Sequence, residues 1–243
     1  MTNPEESSDE LDNKPVDYVT SAIKGFLGIV PFAGSLLAEL AGTVIPNQRL
    51  DQITKFAETL ERKLSGLEQD FIRSQLKNEN FSDLLEEGAR QAARSLSDER
   101  REYIANLITN SLSQQDIEYI ESKHLLRILG ELNDIEVVWL RFYLEPVMNG
   151  DNEFRERHSS ILTPIMATMS DPPSAIEKEA LQDSYKEHLS RLGLLRPRYK
   201  TDSKTHLPDF DKFTGEQEIR GYQITSLGRL LLKQIGLSKP EQS

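Results

Sequence analysis

Cysteine is absent from the 243 residues. That excludes disulfides, thiol nucleophiles and cysteine-ligated metal sites, and it is compatible with a cytosolic address. Histidine is scarce too. His124, His158, His188 and His206 stand alone, none with a second histidine at the i, i+4 spacing that puts two ligands on one helix face. Neither a metal nor a cofactor is expected. There is no glycine-rich phosphate loop and no nucleophile elbow. Gly25-Phe26-Leu27-Gly28 lacks the third glycine of a dinucleotide fingerprint and follows a helical pattern, not a strand. The opening MTNPEESSDELDNKP has no basic region followed by an apolar core, so a secretory signal peptide is not expected. An enzyme is the least favoured class, and no catalytic residue and no small-molecule substrate are inferred.

What the chain has in quantity is charge. Charged residues make up 28% of it and the formal net charge is -11, which argues against non-specific binding to nucleic acid or anionic lipid by the molecule as a whole. The acid excess is confined to the first 173 residues, with 17 Lys or Arg against 30 Asp or Glu. Residues 174–243 carry 12 against 10. Residues 1–14 have the composition of a disordered acidic tail, and 238–243 form a short second tail.

Set against this charge is one apolar stretch, Gly25 to Ile45. Four glycines and Pro31 interrupt it, so it should bend near its middle. Its uncharged run from Gly25 to Ala38 is 14 residues, short of the roughly 18 to 20 that a spanning helix needs. The expectation is an apolar helical hairpin over residues 16–46, presenting Phe26, Leu27, Ile29, Val30, Phe32, Leu36, Leu37 and Leu40. Two uses stay open: a core hairpin wrapped by the other helices, and an element that engages a membrane or a partner when a trigger releases it. The second makes a cytoplasmic protein one that associates with the inner membrane face.

The next stretch is read as one helix over 49–76. Ile53, Leu60 and Leu67 recur every seven residues, with Ala57, Leu64 and Phe71 offset by four and charges on both flanks. Ile53, Leu60, Leu64, Leu67 and Phe71 therefore form a seam, either for packing within the chain or for a coiled-coil dimer. After a break at Asn78 to Asn80 come four helices with short polar joints. Ser97 or Asp98 caps the second, Ser113 with Asp116 opens the third, and Asn133-Asp134 caps the last, which holds the only tryptophan, Trp139. Residues 15–145 read as a helical bundle and 146–173 as a linker.

Residues 174–237 change character. Ser174 with Glu177 should open a helix and Gly193 should end it in a left-handed cap. A strand, a polar connection, a second strand in RGYQI and a last helix capped by Thr225 complete the order of a winged-helix module. The fold class expected is mainly α: a multi-helix bundle with the apolar N-terminal hairpin, followed by a small winged-helix-like α+β module. Arg191, Arg196, Arg198 and Lys200 are its candidate nucleic-acid contacts. Asp202, Asp209 and Asp211 interleave with the basic residues of the wing and thin the footprint, so a protein partner is favoured over DNA. Tyr199 and Tyr222 are expected to pack in the wing.

A glycine-rich apolar hairpin followed by REYIANLITNSL, HLLRILGELNDIEVVWLRFY and YQITSLGRLLLKQIG resembles the Abi-alpha type of bacterial abortive-infection protein, over most of residues 20–237. The same order is similar to many helical proteins of bacterial genomes and prophages. The resemblance implies a role in phage defence, with no assigned chemistry and no catalytic residues to carry over. A non-enzymatic defence protein is one expectation; an oligomeric adaptor or transcriptional regulator acting through the C-terminal module is the other. A protein partner or self-association suits both.

Overall fold

Helix α1, Asn47–Leu64, begins the part of the chain that the computed structural model describes: residues 47–113, 118–146, 151–168, 170–202, 205, 207–211 and 215–238. The apolar hairpin over 16–46, with Phe26, Leu27, Ile29, Val30, Phe32, Leu36, Leu37 and Leu40, lies outside these residues. Helices α2, Gln69–Gln75, α3, Glu79–Arg94, α4, Asp98–Ser113, α5, Tyr119–Glu131, and α6, Asp134–Phe142, follow. Then come α7, Asn152–Arg157, α8, Ser159–Leu162, and α9, Pro173–Arg191. Strands β1, Leu195–Tyr199, and β2, Ile219–Ile224, with α10, Ser226–Gln234, close the chain. This is a mainly α, multi-helix protein with a small α+β module at its C-terminal end.

Contacts divide the chain into two compact units. One is Met1–Arg127 with Gln234–Gly236; the other is Ile128–Lys233 with Leu237–Ser243. The division falls inside α5 and not in the stretch 146–173. That stretch forms α7 and α8, and α8 packs on α6.

In the first unit α1, α3 and α4 pack against one another. Ile53, Leu60 and Leu64 are buried with Phe56 and Ala57, so the heptad seam is used within the chain. Its helix is shorter than the spacing suggests. α1 stops at Leu64, Ser65 Oγ donates to Arg62 O, and α2 restarts after Glu68 in extended conformation. Leu67 falls in this joint, half-buried, and Phe71 on α2 is 38% exposed. α3 turns Gly88, Ala89, Ala92 and Ala93 inward. A Cβ on Gly88 would stand 2.5 Å from Ile108 Cδ1, so the glycine lets α3 lie close to α4. Asn78 caps α3, accepting from Asn80 N, and Ser97 caps α4, accepting from Arg100 N.

In the second unit α6 lies on α9, and α9 covers β1. Asn133 and Glu136 form a reciprocal capping box at the start of α6. α9 begins at Pro173, so its N-cap is Pro172, two residues before the expected Ser174, and it has no side-chain cap. Proline suits a first helical position because its missing N–H would have no helical partner. Gly193 ends it at φ 73°, as expected of a left-handed cap.

The expectation of a membrane-interacting protein is corrected: among the described residues no helix is long and apolar enough to cross a membrane. The two longest, α1 and α9, each distribute seven Asp, Glu, Lys and Arg residues along their length. Charges at that density are costly in hydrocarbon.

Candidate functional site

Large apolar side chains are exposed singly at Leu96, Ile120 and Met166, and several stand together on the hairpin between α9 and α10. β1 and β2 pair antiparallel with Leu195 opposite Ile224, Pro197 opposite Tyr222 and Tyr199 opposite Ile219. Because strand side chains alternate, Leu195, Pro197 and Tyr199 of β1 share the inner face and Arg196 and Arg198 take the outer one; on β2 the register irregularity, which leaves Arg220 as an extra residue, brings Ile219 opposite Tyr199. Leu195 and Ile224 are buried, and Tyr222 is half-buried with its ring 6.1 Å from that of Tyr143. Tyr222 is thus a packing residue. Tyr199 and Ile219 extend the same apolar face past the core and remain 46% and 44% exposed.

The two strands part beyond Lys200 and Glu218, and a returning arm fills the space between them. Lys200 N donates to Glu218 O at 2.8 Å, Asp209 N to Lys200 O at 3.1 Å, and Glu218 N to Asp209 O at 2.9 Å. Asp202 Oδ1 accepts from Thr205 N at 2.7 Å, and Gly215, at φ 72°, donates its N–H to Asp211 O at 2.9 Å. The arm exposes Leu207, at 64%, and Phe210, at 54%. Among the described residues the hairpin therefore carries four exposed large apolar side chains.

The basic candidates separate. Arg191 is exposed at the end of α9, and Lys200 pairs with Glu218, which raises the lysine pKa through a hydrogen bond and charge attraction. Arg196 and Arg198 are exposed on β1. Arg220, which the sequence reading missed, sits exposed beside the register irregularity, next to Gly221. No ion pair holds these last three among the described residues, and neither strand contains an acid. Charge within a strand was the available signal. It is diluted when the whole module is counted together.

Behind the hairpin, the aromatic end of α6 is set by cations. Lys186 lies 5.1 Å over Trp139, Arg155 5.1 Å over Phe142, and Arg141 5.2 Å over Phe154. Arg141 also donates to Asp151 at 2.7 Å. Burial raises the Tyr143 pKa to about 12, with smaller contributions from Tyr222 and Asp183. Burial also raises Tyr222, assisted by Glu187 and Asp183. Buried Glu136 accepts from Asn133 N at 2.8 Å and pairs with His188 Nδ1 at 2.7 Å, which ties α6 to α9.

In the first unit an open cleft of about 440 Å³ is lined by Asn80, Asp83, Tyr119, Ile120, Lys123, His124 and Arg127. Lys123 is neutralised by Asp83, and Tyr119 donates to Gln75 at 2.6 Å. Among the described residues no group of His, Asp and Glu is placed to hold a metal ion.

The chain matches no protein-family model, no curated protein and no solved structure. The resemblance to abortive-infection proteins rests on the sequence pattern alone.

Proposed function

We propose that the chain is a non-enzymatic adaptor of the abortive-infection kind, and that its C-terminal module is a winged helix used to bind protein. The observation that carries this is the division of surface on the module. In helix-turn-helix folds the later helix is the one offered to the major groove, and here that position falls to α9. It exposes Glu177, Asp183 and Glu187 against Lys178 and Arg191, an excess of acid that duplex phosphates would meet with like charge. The hairpin instead offers Tyr199, Leu207, Phe210 and Ile219, side chains of the kind that protein partners bury. The defence half of the reading is supported by the sequence resemblance.

The test is phage challenge of bacteria expressing the chain or its Tyr199→Ser, Phe210→Ser variant. Both positions are exposed, so the variant should fold and accumulate normally. Plaque formation reduced by the parent chain and restored by the variant is the expected result. Protection unchanged in the variant would remove the hairpin from the mechanism, and no protection by the parent across a broad phage panel would remove the defence role.

A further inference from the structure

The face of the hairpin opposite the apolar pair is basic, with Arg196, Arg198 and Arg220 all exposed. Arg196 and Arg198 project from it, opposite Gln223 and Gly221. Arg220 adjoins them, and nothing lies within 4 Å of where a Cβ on Gly221 would stand. Three cations without an acid on either strand, in a chain of net charge -11, are not explained by packing or by ion pairing. Guanidinium groups bind carboxylates and phosphates through paired hydrogen bonds, so the ligand of such a face is an anion.

We propose that this arginine face receives an acidic segment of a partner protein, held by carboxylates on Arg196, Arg198 and Arg220. Along a strand, side chains two residues apart are about 7 Å apart, and Arg196 and Arg198 have this separation. Carboxylates spaced regularly along a peptide can meet both. Phosphates of a duplex could match that spacing too, but the surroundings separate the two ligands. Glu187 precedes the strands, and in their connection Asp202, Asp209, Asp211, Glu216 and Glu218 outnumber Lys200, Lys204 and Lys212. A duplex, whose major groove alone is about 12 Å wide, would press phosphates on these acids. A peptide is narrow enough to lie on the arginines alone. Pro197 removes an N–H from β1, so the segment lies across the face and does not extend the sheet at that strand. The inference rests on the reading of the module as a protein binder, but it uses the opposite face from Tyr199 and Ile219.

Fluorescence anisotropy with the full chain at low salt tests it, using three labelled probes: a short peptide alternating Glu and Leu, the same peptide with Lys for Glu, and a short DNA duplex. The Glu peptide should bind and the Lys peptide should not. The triple variant Arg196→Glu, Arg198→Glu, Arg220→Glu should weaken the Glu peptide by about tenfold or more. The corresponding Gln variants should lose less, and Tyr199→Ser should change nothing. A duplex bound more tightly than the Glu peptide, equal binding of all arginine variants, or no binding of the Glu peptide would each overturn the proposal. Loss of plaque protection on changing Tyr199 and Phe210, beside failed peptide binding, would overturn the arginine face and leave the adaptor reading standing.

Discussion

Gly228 sits where a side chain cannot. A Cβ there would stand 2.5 Å from the Leu194 carbonyl oxygen and 2.8 Å from Ile224 Cγ1. The carbonyl cannot retreat freely, because it already accepts from Thr225 N at 3.0 Å and from Thr225 Oγ1 at 3.1 Å. Gly228→Ala gains about 1 kcal/mol in helix propensity but forces an overpacked contact costing roughly 1–3 kcal/mol or more. The expected result is a lower urea midpoint with an unchanged slope; an unchanged midpoint would show that the strand yields. A second residue-scale device caps the end of α10. Asn106 Nδ2 donates to Ile235 O at 2.9 Å and Asn110 Nδ2 to Gln234 O at 2.8 Å. Asn106→Ala should cost about 1 kcal/mol by the same assay, and no loss would show that water replaces the cap. Thr225 and Gly193 were legible as caps because their chemistry is local. Gly228 and Asn106 were not, because each answers to a residue far away in the chain.

At the scale of elements, polar caps marked α4 and α6 in the sequence, since a side chain that satisfies free backbone N–H groups has few other sites to prefer, whereas Asn78 was read only as part of a break. Periodicity overran the end of α1, because Leu67 and Phe71 continue the repeat through a joint that Ser65 and Gly66 make. The packing of α6 against α7 was not legible, as it depends on cations over rings and not on apolar spacing, and neither was the ring contact between Tyr143 and Tyr222 of β2. It yields a pH prediction. The folded-state pKa of Tyr143 is raised above the ordinary value of 10.0 to about 12 by burial, so the folded form holds its proton more tightly than the unfolded chain. The contribution is complete below pH 10 and is lost as pH rises toward 12. Burial lowers His158, with Arg157 adding to the effect, so stability there is present above the ordinary value of 6.5 and is lost as pH falls through the lowered one. Urea midpoints should therefore fall at both ends of a pH series, and Tyr143→Phe should flatten the alkaline fall. An alkaline fall of the same size in that variant would assign it to another group.

For the whole molecule, composition read the class well and the interactions less so. Charge and helical spacing identify a mainly α chain, but the same heptad repeat serves equally a seam within one chain and a seam between two. The structure buries Ile53, Leu60 and Leu64 against α3 and α4, so this face is already occupied. Leu60→Ala should cost about 2–5 kcal/mol, and the unfolding midpoint should not depend on protein concentration. A midpoint that rises with concentration in the parent and not in the variant would mean that the helix serves an oligomer. The acid excess of the first 173 residues and the arginines of the hairpin likewise average to a single net charge that conceals both.

The most direct measurement of the central claim places a photo-crosslinking benzophenone residue at Phe210 in cells expressing the chain. The account predicts a discrete protein adduct after irradiation, abolished by Tyr199→Ser and absent when the crosslinker stands at exposed Glu131. Adducts to nucleic acid, or a protein adduct equally strong from Glu131, would contradict the assignment of the hairpin as a protein-binding surface.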